Sequence, residues 1–301
     1  MEKAWYILNY HDISWEESLF ARGIGGTVPP DIFREQLEKL SQEFKLVSVQ
    51  QGYDLYQKNQ IDKPLVSFWF DDGLTGVRKY AYPLLEEYEV KAAMSVNSRF
   101  TLKKEFFWRF KLSLLSQLDG MRFLRSRLKK YGYKRGMSVK AFVLDNFSED
   151  IINIIDEVYS EYTNESFRKD SYRLFDAIDG IRELADNGWL IANHSASHYP
   201  IAEETYIHKF KEQFEECEKD ITQHLNIETQ FWTIPFDRCD KRSEKLMETF
   251  NKVDNKNRSL VLVGGYANKS YGKHKKVVYR IVPRRRNGDE LVRFLKGVDV
   301  G

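Results

Sequence analysis

A chain of 301 residues is long enough to bury a sizeable core, as one large α/β domain or as two smaller ones. Its formal net charge of +2, with a charged fraction of 31% spread along the chain, gives no global pull toward nucleic acid or an anionic membrane. Two cysteines, Cys217 and Cys239, do not make a disulfide framework, and no apolar run approaches the ~18 residues of a membrane span.

The first strand is expected to start at Trp5. The apolar run Ala4 to Leu8 follows Met1-Glu2-Lys3 directly and is too short for a signal-peptide core, so the expectation is a cytoplasmic protein. Pro30 to Phe44 reads as a helix with Ile32, Phe33, Leu37, Leu40 and Phe44 on one face. Strands are expected from Leu46, Leu65 and Lys91, with a helix over Gly76 to Glu89 before the last of them. Between Ser98 and Ile178 the alternation stops. Helical spacing at Leu112, Leu115 and Leu118, then at Phe142, Leu144, Ile151, Ile154 and Ile155, predicts a helical insertion, either a wall over the site or a packed appendage. Beyond it, helices over Ala177 to Asn187 and Glu203 to Leu225 alternate with strands from Trp189, Phe231, Leu260 and Val277. Such alternation argues for a parallel sheet with helices outside.

Two segments carry chemistry. Pro64 to Phe70 is apolar, β-branched and aromatic, and it runs into Asp71-Asp72-Gly73. Adjacent side chains on a strand point to opposite faces, so both carboxylates share one site only if the chain bends there, which Gly73 permits. Two carboxylates at the end of a buried strand are costly without a cation or solvent. Downstream, the short strand Gly188 to Ala192 ends at Asn193-His194-Ser195-Ala196-Ser197-His198. The two imidazoles are four positions apart, and one helical turn or tight loop brings them together, with Ser195 and Ser197 available to bond the loop backbone. One carboxylate and two imidazoles make three ligands for a divalent metal with a position left for water, and the second carboxylate is free to act as a base.

These segments resemble the signatures of the polysaccharide deacetylases, the NodB-homology carbohydrate esterases. Phe70-Asp71-Asp72-Gly73 is similar to that family's first motif and His194-Ser195-Ala196-Ser197-His198 to its second. Asn9-Tyr10-His11-Asp12-Ile13 resembles the opening strand of one branch, and Phe231 to Asp237 resembles a degenerate third motif. The resemblance implies an irregular (β/α) barrel of seven or eight mostly parallel strands, one domain over 1–301 with the insertion at about 98–178. Catalytic groups of such barrels lie at the C-terminal ends of the strands. It further implies that Asp72, His194 and His198 bind the metal, with Zn²⁺ expected from the nitrogen and oxygen donors and iron, cobalt or nickel left open. Asp71 is then the base, and the backbone N–H of Phe236 stabilises the oxyanion. Tyr10, Trp232 and Phe236 are expected to bind substrate. The implied reaction is removal of an acetyl group from an N-acetylated saccharide, as in surface-polysaccharide biosynthesis. A same-fold hydrolase of another amide or ester, or a sugar-binding pseudoenzyme, are the alternatives.

Two departures from the family pattern stand out. No Arg precedes Pro235 to pair with the catalytic Asp, although Arg238 lies just after it. Arg280, in Tyr279-Arg280-Ile281, is similar to an Arg-Ile position of the same branch. The late strand Leu260-Val261-Leu262-Val263-Gly264-Gly265 carries no histidine to serve as acid. His11, at the end of the first strand, is the expected surrogate acid or hydrogen-bond donor, ahead of His274 in a basic loop. The basic run Pro283 to Asn287 reads as a solvated rim or an anchor for an anionic substrate group rather than a nucleic-acid site.

Overall fold

In a computed structural model, residues 2–22, 24, 26–237, 244–269, 275–283 and 286–298 are described. Among them the chain forms strands β1 (Trp5–Tyr10), β2 (Asp12–Ile13), β3 (Thr27–Val28), β4 (Lys45–Leu46), β5 (Leu65–Phe70), β6 (Ala93–Val96), β7 (Leu190–Asn193), β8 (Phe231–Thr233), β9 (Ser259–Val263) and β10 (Val277–Arg280). The main sheet runs β1-β5-β6-β7-β8-β9-β10, parallel throughout. β5 meets β4 at its start and β6 at its end. Past β10, the Ile281 N–H donates to Ile7 O and the Asn9 N–H donates to Ile281 O, both at 2.8 Å. This bridge brings the last strand back to the first, and the result is the expected irregular barrel.

Alternation along the strands sorts the side chains. Trp5, Ile7, Leu65, Trp69, Ala93, Phe231, Val261 and Val278 fill the barrel. Tyr6, Leu8, Tyr10, Phe68 and Phe70 point outward and pack on Phe33, Leu37 and Leu40 of the helix Pro30–Glu43. The few polar atoms inside pair with one another. Trp5 Nε1 donates to Ser67 Oγ at 2.8 Å and Trp69 Nε1 to Ser95 Oγ at 2.6 Å, as buried donors must.

The strand expected from Leu46 is shorter than its sequence suggests. β4 stops at Leu46, and a helix, Val49–Gln57, follows almost at once. The reason is local: Ser48 Oγ accepts from the Gln51 N–H at 3.1 Å, an N-cap that starts the helix. This helix seats Val49, Tyr53 and Tyr56 in the barrel core. Its Gly52 is required by a close approach, since a Cβ there would lie 2.4 Å from the Trp5 indole.

The insertion between β6 and the helix Ile178–Asp186 is helical, as expected, with its longest pieces at Trp108–Gln117, Gly120–Leu128 and Glu149–Tyr162. It has its own apolar core around Phe106, Leu115, Leu124, Ile155 and Val158. It is more than an appendage. Phe107 packs on His198 at 4.8 Å between ring centroids, and Trp108 packs on Phe236 at 5.7 Å. The insertion thus forms a wall at the C-terminal ends of the strands.

Candidate active site

β5 delivers the two carboxylates. Its alternation sends Ser67, Trp69 and then Asp71 into the barrel. The bend comes one residue earlier than Gly73 alone would give: Asp72 itself takes a left-handed backbone, φ 71°, followed by Gly73 at φ 68°. A non-glycine residue in that region costs on the order of 1 kcal/mol or more and persists only where its surroundings enforce it. Here the Asp71 N–H donates to Tyr10 O at 3.0 Å and the Asp176 N–H donates to Gly73 O at 2.8 Å. Both carboxylates end up buried on one side of the turn.

β7 delivers the histidines. His194 to His198 form a tight loop rather than a helical turn, with Ser195 at φ 66° and His198 at φ 52°. The loop is held chiefly by the serine N–H groups. Ser195 N–H donates to Asn193 Oδ1 at 2.9 Å and Ser197 N–H to Gln213 Oε1 at 3.0 Å, with Ser197 Oγ on the same oxygen. Asn97 Nδ2 donates to the carbonyls of His194 and Ser195. As a result, His194 Nε2 lies 3.5 Å and His198 Nε2 3.4 Å from Asp72 Oδ1.

Three ligand atoms, one each from Asp72, His194 and His198, fall within 4.8 Å of one another, and all three residues are buried. His194 Nδ1 sits 2.9 Å from Thr233 O, which assigns the proton to Nδ1 and turns Nε2 toward the cluster. Asp72 Oδ1 is buried with no hydrogen-bond donor among the described residues. A buried carboxylate oxygen facing two imidazole nitrogens fits a divalent cation.

The electrostatics separate the two aspartates. Burial alone would raise the Asp71 carboxyl, but Arg280 outweighs it, helped by His194 and His11, and holds Asp71 well below the usual carboxylate range. Arg280 Nη1 donates to Asp71 Oδ1 and to Asn9 Oδ1, each at 2.7 Å, from a fully buried position above the Trp69 ring. Asp72 goes the other way. Burial and then the neighbouring Asp71 charge push its carboxyl up to about 7. Burial lowers both His194 and His198, so each is neutral and able to ligate at neutral pH.

The sequence model of the polysaccharide deacetylase family matches residues 58–252. The chain belongs to the polysaccharide deacetylase family. Among solved structures, it is similar to the Streptococcus pyogenes deacetylase PplD in complex with acetate, at 16% identity and TM-score 0.61 over 98% of each chain. It is also similar to IcaB from Ammonifex degensii, at 15% identity and TM-score 0.60 over 97% of this chain and 96% of that one. The de-N-acetylase from Aggregatibacter actinomycetemcomitans gives 14% identity and TM-score 0.61 over 96% and 99%. These likenesses establish a shared fold. Curated proteins yield no match.

In this polysaccharide deacetylase, the other residues singled out from sequence are placed unevenly. His11 lines a cavity of roughly 190 Å³ together with Asn9, Asp72 and Arg109. The surrounding protein desolvates its imidazole and lowers it to about 4, against the pull of Asp71. Phe236 stands at the site, φ 54°, with its ring 4.4 Å from that of His198. Two expectations are corrected. Tyr10 points outward: its ring stacks on Phe70 and its hydroxyl donates to Gln36 Oε1 at 2.8 Å. Trp232 also points outward, stacked on Phe214 with Nε1 directed to Glu218. Neither ring faces the barrel interior, because inward Asn9 and Thr233 turn their strand neighbours outward, although Tyr10 still lines the cavity beside His11. Arg238, Cys239, His274, Arg284 and Arg285 lie outside the described residues.

Two residues of this deacetylase site were not read from the sequence in these roles. Arg280, two positions beyond inward Val278, pairs with Asp71, the place left without an arginine before Pro235. Arg109 comes from the insertion. Burial lowers its guanidinium while Asp72 draws it back up, so the two groups face each other across the cavity. A lone Arg on the inward parity of a strand is a readable signal. Arg109 sits in no motif and had none.

Proposed function

We propose that this chain is a divalent-metal-dependent N-deacetylase that removes the acetyl group from an N-acetylated amino sugar destined for a surface polysaccharide. The observation that carries this reading is the convergence of Asp72, His194 and His198 beside a second, separately paired carboxylate, Asp71. Asp72, His194 and His198 hold the ion, and Zn²⁺ is the expected occupant. When bound, the ion supplies Lewis-acid polarisation of a carbonyl and a more acidic water.

The chain's own residues do the rest. Asp71, kept ionised by Arg280, takes a proton from the attacking water as its oxygen adds to the acetamido carbon. The Phe236 backbone N–H donates to the carbonyl oxygen as charge builds there. The His11 ring, neutral at pH 7, donates a hydrogen bond at the same rim. The C–N bond then breaks as Asp71 passes the proton it took on to the leaving amine, and acetate and the free amino sugar leave. Phe107, Trp108 and Phe236 form the apolar side that keeps bulk water away.

The test is acetate release from N-acetylated glucosamine oligomers by protein of measured metal content, with chelated protein as control. Acetate formed in proportion to bound metal supports the reading. Full metal loading without acetate from any N-acetylated sugar overturns it. One observation favours a second reading. β9 ends in Val263 and glycines, with no histidine there to protonate an amine. An alcohol leaves more readily than an amine without an acid, so an ester substrate is the alternative, detected as acetate release from O-acetylated sugars alone.

A further inference from the structure

The site cavity does not end at His11 and Asp72. At Ile24 and Arg109 it joins a second groove of roughly 380 Å³. Arg22, from the segment between β2 and β3, lines this groove together with Arg109, Arg125 and Lys140 of the insertion, and among the described residues no Asp or Glu lines it. Elsewhere in the insertion, arginines set against acids pair with them. Arg99 pairs with Glu105 and Glu216, and Arg127 with Glu157 and Glu161. Among the described residues no carboxylate forms an ion pair with Arg22, Arg109 or Arg125.

The groove is also held in shape. Ser113 Oγ donates to the Arg22 carbonyl at 2.8 Å, and Gln117 Nε2 donates to the Leu19 carbonyl at 2.6 Å. These bonds tie the segment carrying Arg22 to the helix carrying Arg109. Arg109 is balanced in part by Asp72, whereas the exposed Arg22 and Arg125 add like charge along the groove beyond it, and an anion seated there relieves their repulsion. Guanidinium forks match phosphate oxygens, and several in one groove match more than a single negative charge.

We infer that this groove is a phosphoryl subsite of the deacetylase. The amino sugar lies at His11 and Asp72, and its phosphoryl substituent extends past Arg109 to Arg22 and Arg125. The inference rests on the deacetylase reading above and narrows its substrate to a phosphorylated N-acetylamino sugar. A nucleotide, a lipid or a glycan phosphodiester supplies the same chemistry.

The experiment compares kcat/KM for a neutral N-acetylglucosamine oligomer, N-acetylglucosamine 1-phosphate and UDP-N-acetylglucosamine. It uses the metal-loaded wild type and the Arg22→Gln/Arg125→Gln double variant. Both positions are exposed, so the variant is expected to melt like the wild type. In the wild type the phosphorylated compounds are preferred. In the double variant that preference falls roughly ten-fold or more, mainly through KM. Inorganic pyrophosphate binds the wild type in calorimetry, more weakly as salt rises, and loses affinity in the double variant. Preference for the nucleotide sugar over the 1-phosphate assigns a nucleotide, and equal use of both assigns the phosphoryl group alone, as in a lipid or glycan phosphodiester. Equal turnover of neutral and phosphorylated compounds, unchanged in the double variant, overturns the subsite and leaves the deacetylase reading intact. Preference for an oligomer bearing carboxylates in place of phosphates overturns the phosphoryl assignment. Pyrophosphate binding that depends on Arg22 and Arg125, with no deacetylation of any sugar, keeps the subsite and removes the deacetylase.

Discussion

Arg280 Nη1 lies 2.7 Å from Asp71 Oδ1, although 209 positions separate the two residues in the chain. One ends the last barrel strand, the other follows the second strand of the sheet path, and the closure of β10 onto β1 brings them together. The contact divides the labour of two adjacent aspartates. Asp71 is neutralised by a fixed guanidinium and stays ionised, while Asp72 has no such partner and faces the imidazoles.

Arg280→Met should therefore act on Asp71. Removing one partner of a buried pair typically costs about 3–5 kcal/mol, so the variant should melt earlier. Arg280 lowers the Asp71 carboxyl, and its loss raises it. The acid limb of the kcat/KM profile should then move to higher pH. A limb that stays in place while the protein remains folded would mean that Asp71 is not the titrating base.

Asp71→Asn and His194→Ala should separate proton transfer from metal holding. Asp71→Asn keeps stoichiometric metal and lowers turnover by roughly 10²- to 10⁴-fold. His194→Ala and His198→Ala lose tight metal binding. Metal analysis after dialysis reads both. Metal lost from Asp71→Asn but retained in Asp72→Asn would reverse the two assignments.

The pH dependence of stability without metal follows from Asp72. Its carboxyl is raised to about 7 in the fold, against 3.8 ordinarily. Between those values the folded state holds a proton that the unfolded state has released. Stability contributed by this group therefore falls as pH rises from about 4 to about 7, by at most ~1.4 kcal/mol per pH unit. His11 opposes it: lowered to about 4, its contribution rises over roughly pH 4 to 6.5. The stability difference between wild type and Asp72→Asn, in chelator, isolates the first effect and should shrink in the wild type's disfavour across that window. Added Zn²⁺ should reverse the trend, with a melting shift that grows with pH. A pH-independent difference would show that Asp72 is not buried as a carboxylate.

His11 distinguishes a donor from an acid. A ring lowered to about 4 is neutral at pH 7, which favours donation of a hydrogen bond over delivery of a full proton. His11→Gln keeps an N–H and should retain most of the turnover, while His11→Ala should lose it. Equal, severe loss in both variants would restore the role of acid.

The convergence of Asp72, His194 and His198 was legible because each half is a short contiguous motif at a strand end. The parallel sheet with outer helices followed from the alternation of strand and helix runs, whereas the barrel rested on the resemblance to the family. The pairing of Arg280 was not legible as such, because it depends on which strand lies beside β1. Tyr10 and Trp232 were misplaced for the opposite reason: aromatic character at a motif was weighed above strand parity. The inward positions of Asn9, Phe231 and Thr233 require both rings to face the helices. The helix after β4 was hidden behind a single cap, Ser48, in a run that otherwise reads as strand. Arg109 and the basic groove belong to an insertion whose packing no short motif encodes.

The helix Val49–Gln57 has a consequence for traffic. With Tyr53 set edge-on against Phe231, and Trp5 and Trp69 stacked in layers below Asp71, the axis of the barrel is plugged beneath the site. A molecule cannot pass through from one end to the other. Among the described residues, the way to the site lies between the insertion and the strand ends. In the proposed reaction, acetate forms at the inner end of that approach, beneath the sugar. The larger product is then expected to leave before acetate, and acetate to inhibit, an order that product-inhibition kinetics would read.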